Sequence, residues 1–266
     1  MRAAGASRPF HLLSALSDSC AWLGYAFLVL PTLVIVPMSF NATDELVFPP
    51  AAFSWRQYET FFSKGDWLSS TWLSLKIAVI AAILSVVVGV GAAYGLARGQ
   101  FAGRAAIVLF LLSPLLVPVV VVALGLYLYF AMLGLSGSTL PIIVGHTLIA
   151  IPFVIITASS ALRHIEPNVE TAAMIMGASP FQVFYKVVLP LLRPGIIASA
   201  LFAFLISFDE VVIAYFIGKA GFSTLPVKMF STIQWDISPV IAAVATLLTV
   251  VSTGICILVS RLMDQK

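Results

Sequence analysis

The chain has 266 residues, of which 61% are hydrophobic and 9% are charged; its mean hydropathy is +1.09 and its formal net charge is +3. These values lie far outside those of soluble globular domains, so the composition predicts an integral membrane protein of several spans without a large domain outside the bilayer. The charge indicates no nucleic-acid partner, and the two cysteines, Cys20 and Cys256, form no metal-binding or disulfide pattern.

The first apolar run carries no charged residue from Ser19 to Thr43 and predicts a span at about 20–40. A cleaved signal peptide is the alternative, but the run is longer than a signal-peptide core and lacks a small-x-small cleavage site. The polar loop that follows predicts a short helix along the outer membrane interface, and its aromatic residues are Trp55, Tyr58, Phe61 and Phe62.

Five further spans are predicted from apolar stretches, at about 72–97, 105–133, 140–162, 194–218 and 239–260. Spans three and four share one charge-free stretch that is too long for a single crossing, so a turn that begins near Gly134 is expected to divide them. Pro114 and Pro118 predict a bend in the third span, and Pro152 predicts one in the fourth. Together the six spans form a single predicted transmembrane domain, residues 1–266.

Lysine and arginine are unevenly distributed over the two sides of the membrane. Nine of the 14 lie on the side of both termini, and basic loops are typically cytoplasmic. Both termini are therefore predicted to be cytoplasmic, and so is the loop 163–193 between the fourth and fifth spans.

The loop 163–193 has the pattern of two short amphipathic helices that meet at a glycine. Asn168 is expected to cap the first helix, and Gly177 stands where a left-handed C-terminal residue is common. Ser179 begins a capping-box pattern for the second helix, which Pro190 is expected to end. Each helix has an apolar face that calls for a partner protein, although a hairpin that rests on lipid headgroups is an alternative.

The segment from Glu170 to Ser179, followed by Leu189 and Pro190, resembles the EAA loop of bacterial ABC-importer permeases, in which Glu-Ala-Ala precedes a glycine and a second helix that ends near Leu-Pro. Thr171 stands where that pattern has glutamate. In that family the loop inserts into a cleft of the cytoplasmic ATPase and transmits its closure to the membrane helices. The resemblance implies these ATPase-docking residues: Glu170, Thr171, Ala172, Ala173, Gly177, Ala178, Ser179, Phe181, Leu189 and Pro190.

The resemblance covers nearly the whole chain after Pro31 and implies the type I ABC importer permease (MetI-like) fold, all-α with six transmembrane helices. Span five and the segments after it, from Ser207 to Ala243, resemble the second permease subunits of spermidine/putrescine importers. The implied location is the bacterial inner membrane. The implied partners are a cytoplasmic ATPase dimer that binds ATP and Mg²⁺, a second permease subunit and an extracytoplasmic solute-binding protein, with no cofactor on this chain. Related importers of other small solutes share much of the pattern.

Asp209 and Glu210 are adjacent acids near the middle of the predicted fifth span, where an acid costs about 2.5 to 3.5 kcal/mol. Adjacent helical positions point about 100° apart, so one acid is expected to face a transport pathway while the other pairs within the bundle. Asp209 is predicted to face the pathway, with Glu210 second. A polyamine suits a carboxylate with aromatic surface, for which the candidates are Phe208, Tyr215 and Phe216. Alternatively, the acids neutralise a helix end or an interhelical contact, for example with Lys76.

His146 also lies at membrane depth and is predicted to hydrogen-bond to a neighbouring helix rather than to bind metal or relay protons. The sequence has no phosphate-binding loop, nucleophile motif or metal constellation, so we expect no catalysis by the chain itself. Three functions stay open: a permease subunit driven by a separate ATPase, a self-sufficient secondary transporter or channel, and a membrane scaffold. For the first, ATPase closure is expected to move the helix pair and swing spans three to five.

Overall fold

The computed structural model of the chain describes residues 8–135, 137–218, 223–235 and 238–264, and these residues are mostly helical, as the family resemblance implies. The helices are α1 (Arg8–Met38), α2 (Arg56–Ser63), α3 (Gly65–Arg98), α4 (Arg104–Leu112), α5 (Val119–Met132), α6 (Thr139–Leu162), α7 (Pro167–Ile175), α8 (Pro180–Val183), α9 (Leu189–Leu191), α10 (Arg193–Phe208), α11 (Val212–Ile217), α12 (Leu225–Trp235) and α13 (Val240–Asp264). A 3-10 turn (Ser113–Leu115) follows α4, and a π-helical turn (Phe184–Val188) joins α8 to α9.

Three helical segments of the described residues are long and apolar enough to cross a membrane: Asp18–Met38 of α1, the whole of α3 and the whole of α6. Two helix pairs pass the same test together but are bent at a short break, which gives up to five spans. The apolar part of α13, Val240–Ile255, is shorter. The predicted total of six spans therefore stays a prediction.

The third predicted span is broken rather than merely curved. Its two halves, Arg104–Leu115 and Val119–Met132, meet at 96°, which confirms the bend predicted from Pro114 and Pro118. A proline ring removes a backbone donor and crowds the preceding turn, so two prolines four residues apart interrupt the hydrogen-bond ladder of a helix. The fourth span differs, since α6 continues through Pro152 as one helix.

The fifth predicted span, 194–218, is not one continuous helix. α10 ends at Phe208, and α11 begins only at Val212, so the two adjacent acids lie in the break. α12 was not predicted. Its start does carry a recognisable signal, because Pro226 occupies the first turn, where a missing backbone donor costs nothing.

The described residues of Met1–Gly65 and Ser231–Lys266 form one compact unit. In it, α13 packs against both α1 and α2. The predicted short helix is confirmed as α2, while its position along the membrane interface stays a prediction. Of the four aromatic residues predicted for it, Tyr58 and Phe61 are buried, whereas Trp55 and Phe62 are exposed. The Tyr58 hydroxyl lies 2.7 Å from Ser39 Oγ, which explains why this tyrosine turns inward.

The second unit, Asp66–Phe230, contains the helices that carry both candidate sites. α6 is packed along α10. One apolar core joins α3, α6 and α10 to the loop 163–193, and it includes Val90, Val154, Leu162, Ala173, Val183, Val188 and Leu192. A second core joins α3, α5, α6 and α11, and it includes Ile77, Ala123, Ile142 and Ile213. Helices from distant parts of the chain thus support each site.

Candidate functional sites

The first candidate site is the coupling segment, which we define as residues 167–191. Its first helix, α7, begins at Pro167 with Glu166 as its N-cap, so the expected cap at Asn168 is wrong by two residues. Pro167 explains this start, since proline favours the first helical position. Gly177 has φ +92°, which confirms the predicted left-handed residue between the two helices.

The second helix of the coupling segment begins as predicted and ends later. Ser179 Oγ accepts a hydrogen bond from the Gln182 backbone N–H (3.3 Å), and Gln182 Oε1 accepts one from the Ser179 N–H (2.9 Å). This capping box is confirmed, with Pro180 in the first turn. The predicted end at Pro190 is wrong, because the π-helical turn precedes it and the helical path continues to Leu191 before a bend of 75°.

The ten predicted docking residues do not share one exposed face. Exposed members are Thr171, Ala172, Gly177, Ser179 and Phe181. The half-buried members are Ala178, Leu189 and Pro190, and the buried members are Glu170 and Ala173. Ala173 belongs to the apolar core, so it packs the segment onto the bundle.

Of the three most exposed large apolar residues of the coupling segment, sequence reasoning missed Ile175 and Met176, while Phe181 is among the predicted docking residues. Ile175 and Met176 are each 82% exposed, next to the turn at Gly177, and Phe181 on the following helix is 70% exposed. Large apolar side chains on a tight turn are a signal for an interaction surface. The structure thus gives the coupling segment an apolar tip.

Glu170 points into the protein. Its Oε1 accepts a hydrogen bond from Arg98 Nε (2.8 Å), and its Oε2 accepts one from the Tyr94 hydroxyl (3.0 Å). Arg98 Nη2 also donates to the Ile165 carbonyl (2.9 Å). The carboxylate is therefore occupied on both oxygens by α3, and its geometry favours a positioning role over a contact with a partner.

The second candidate site is the break between α10 and α11. Glu210 is 9% exposed, and its carboxylate accepts hydrogen bonds from the backbone N–H groups of Ile213 (2.8 Å and 3.0 Å) and Ala214 (3.2 Å). These N–H groups open α11 and have no partner within the helix, so the side chain of Glu210 satisfies them. The favourable field of a helix N-terminus adds to this arrangement.

His146 completes the surroundings of Glu210. Its Nδ1 lies 2.8 Å from Ser207 Oγ, and its Nε2 lies 3.4 Å from Glu210 Oε2. The predicted hydrogen bond from His146 to a neighbouring helix is confirmed, since Ser207 belongs to α10. The neighbouring Gly145 lets α11 approach closely, because a Cβ there would lie 2.7 Å from Ile213 Cγ2.

Within the residues that the structure describes, no ion pair joins Lys76 to Asp209 or Glu210. The Lys76 ammonium group lies 5.7 Å from the centre of the Trp72 ring, and Glu210 has the partners just described. For Glu210, the alternative that it neutralises a helix end and an interhelical contact therefore fits the structure, with His146 in place of Lys76.

Asp209 differs from Glu210 in being exposed at the end of α10. Phe208, half-buried beside it, stacks on Phe204 with ring centroids 5.6 Å apart. On α11, Tyr215 and Phe216 are exposed, and Tyr215 also contacts Phe230 edge to face. Within the described residues, no group of three or more His, Cys, Asp or Glu side chains could hold a metal ion.

Comparison with known proteins connects this geometry to a family. Residues 85–265 match the family model of the binding-protein-dependent transport system inner membrane component. The chain is 36% identical to the putrescine transport system permease protein PotI of Escherichia coli (strain K12) over 85% of this chain and 83% of the relative. It is 30% identical to the spermidine/putrescine transport system permease protein PotC of Haemophilus influenzae over 94% and 97%, respectively.

A crystal structure of a bacterial ABC transporter involved in the import of the acidic polysaccharide alginate has the same fold. A chain of that structure superposes with a TM-score of 0.74 at 15% identity, and the match covers 97% of this chain and 99% of that one. The predicted permease fold is confirmed by this likeness. The chain belongs to the family of binding-protein-dependent transport system inner membrane components and is a permease subunit of an ABC importer.

Proposed function

We propose that this permease carries linear polyamines, such as putrescine or spermidine, across the cytoplasmic membrane of a bacterium. One observation carries the choice of cargo: at the helix break, Asp209 presents an exposed carboxylate, while the carboxylate of Glu210 accepts hydrogen bonds within the protein. An exposed acid at this depth costs free energy unless it serves a cation or a water-filled path.

The surroundings of Asp209 suit an ammonium group joined to methylenes. The last carbonyl groups of α10 lack partners within the helix and give its end a partial negative charge, which adds to that of the carboxylate. Discontinuous helices whose ends bind ions are a recurrent device of transporters. Phe208, Tyr215 and Phe216 offer aromatic faces for the cation and apolar surface for the methylenes.

The relatives support the same class of cargo, since both are named for putrescine or spermidine transport. The runner-up is another small solute, because importers of different solutes share this fold. This alternative predicts uptake of a neutral or anionic compound, and it predicts that this uptake does not depend on Asp209.

The coupling segment is the proposed docking site for a cytoplasmic ATPase. Its apolar tip of Ile175, Met176 and Phe181 offers surface to a cleft, and Gly177 provides the turn between the two helices. We assign contact roles to the exposed docking residues and positioning roles to Glu170 and Ala173. Nucleotide and Mg²⁺ are bound by the ATPase, so this chain needs no cofactor.

The proposed complex contains an ATPase dimer, this chain, a second permease subunit and an extracytoplasmic solute-binding protein. Six spans with both termini in the cytoplasm put the coupling segment beside the ATPase. ATP-driven closure of the dimer moves the coupling segment, and the helices attached to it open the pathway outward to receive the cargo. Hydrolysis then restores the inward-open state, which completes alternating access.

The cargo is tested by uptake into proteoliposomes that contain the purified four-component complex. We expect ATP-dependent uptake of radiolabelled putrescine that excess spermidine inhibits and neutral sugars do not. Asp209→Asn removes a charge-assisted contact of about 1.5 to 3 kcal/mol, which corresponds to an uptake loss of about 10- to 150-fold.

The matched control is Glu59→Gln, which neutralises an exposed acid on α2, outside the predicted spans. Its uptake should equal that of the wild type. Uptake of a neutral solute in place of putrescine would overturn the proposed cargo. Unchanged uptake by Asp209→Asn would overturn the role of Asp209.

A further inference from the structure

A three-residue latch joins the cytoplasmic end of the second predicted span to the coupling segment. It consists of Tyr94 and Arg98 on α3 and Glu170 on α7. Arg98 is the last residue of α3, and it binds both the Glu170 carboxylate and the Ile165 carbonyl just before α7. One arginine therefore binds both Glu170 of the coupling segment and Ile165 just before that segment, in a geometry that its planar guanidinium suits.

The latch is well shielded from solvent. The Glu170 side chain is 8% exposed, and that of Arg98 is 25% exposed. The ring of Tyr94 packs on Phe184 of the π-helical turn with centroids 4.8 Å apart, so α3 contacts the second helix of the coupling segment as well. A shielded ion pair with its remaining hydrogen bonds satisfied resists separation, because either charge alone would be left buried without a partner.

We infer that Tyr94, Arg98 and Glu170 are positioning residues that make α3 move as one body with the coupling segment when the ATPase closes. This inference rests on the proposed docking of the coupling segment. It adds the second span to the moving helices, which were expected to be spans three to five. It also gives Glu170 a different task from the docking contact that the EAA resemblance implied.

The inference is tested by the distance between spin labels at positions 97 and 168 of the complex, in a background without Cys20 and Cys256. Ala97 and Asn168 are exposed on α3 and α7, so labels there leave the latch intact. In the wild type we expect the same distance distribution without nucleotide and with ATP under non-hydrolysing conditions. In Glu170→Gln we expect the distribution with ATP to shift or broaden.

The same variant should separate hydrolysis from transport. We expect Glu170→Gln to retain the ATPase and to hydrolyse ATP, while putrescine uptake per ATP falls about 5- to 150-fold, the usual range for coupling between sites. Tyr94→Phe removes one hydroxyl and keeps the ring, so we expect it to fold normally and to show a smaller loss in the same direction. Glu166→Gln, an exposed acid before α7, is the matched control and should behave as the wild type.

Several results would overturn the inferred role of the latch. If Glu170→Gln and Tyr94→Phe leave uptake per ATP unchanged, the three residues have no part in coupling. If Glu170→Gln loses the ATPase while its label distance is unaltered, Glu170 is a docking contact instead. A wild-type distance that changes with ATP would also contradict rigid movement. The distance is measured without cargo, so failure of the polyamine assignment leaves this test intact.

Discussion

The coupling segment and the break between α10 and α11 each bury a glutamate carboxylate, and each satisfies that carboxylate with different hydrogen-bond donors. Each region contains a buried glutamate next to an exposed residue: Glu170 beside Thr171, and Glu210 beside Asp209. A buried carboxylate must be satisfied by nearby donors, so the two sets of donors show what each region is built to do.

The donors differ in their distance along the chain. Glu170 is held by Arg98, 72 positions earlier, whereas Glu210 is held by N–H groups only three and four positions later, with His146 Nε2 3.4 Å away. The first arrangement joins elements that could otherwise separate. The second shapes a local interruption and leaves its neighbour Asp209 exposed. We therefore expect changes in the first region to affect coupling and changes in the second to affect stability or cargo.

The largest expected effect in the coupling segment comes from Gly177→Val. A β-branched residue at φ +92° is strained by about 1 to 2 kcal/mol or more, so the two helices should no longer meet at the present angle. We expect almost complete loss of ATPase binding and of uptake, measured by copurification and transport.

Gly177→Asn is the matched variant, because asparagine tolerates the left-handed conformation and no neighbouring atom lies within 4 Å of the added Cβ. It should retain much of the ATPase binding. Equal loss in both variants would show that the added side chain, rather than the backbone conformation, blocks docking.

A smaller effect, on stability, is expected from Glu210→Ala. This change leaves the first N–H groups of α11 without their acceptor, and the loss of a helix cap costs about 0.5 to 2 kcal/mol. We expect a lower melting temperature of the purified complex, measured by thermal unfolding in detergent.

Ser207→Ala is the variant to compare with Glu210→Ala, because it removes the partner of His146 Nδ1 and leaves the cap of α11 in place. Hydrogen bonds between membrane helices contribute about 0.6 kcal/mol on average, so its effect on stability should be smaller. A larger loss in Ser207→Ala than in Glu210→Ala would contradict the importance of the cap.

Features that depend on local chemistry could be predicted from the sequence. Pro114 and Pro118 remove backbone donors, and Gly177 and Ser179 have strong positional preferences, so the bend in the third span and the turn between the two helices of the coupling segment were predicted correctly. The same local signals at Asn168 and Pro190 misled, because Pro167 starts the helix earlier and the π-helical turn carries the helix past Pro190.

The inward orientation of the Glu170 side chain could not be predicted from such local signals. It depends on where Arg98 ends α3, and no helical periodicity relates two positions so far apart. The break at Asp209 and Glu210 was also missed, since the surrounding residues are apolar and contain no proline or glycine from Ile196 to Ile217. A carboxylate that can accept hydrogen bonds from the first N–H groups of the next helix predicts a helix break only weakly until the backbone path is known.

The most direct test of the central claim compares Asp209→Asn with Glu210→Gln in the reconstituted complex, measuring putrescine uptake per folded complex together with the melting temperature. We predict that Asp209→Asn keeps the melting temperature and loses uptake about 10- to 150-fold. We predict that Glu210→Gln lowers the melting temperature while the folded complexes transport at close to the wild-type rate. Wild-type uptake by Asp209→Asn, with loss of uptake in a fully stable Glu210→Gln, would contradict the account.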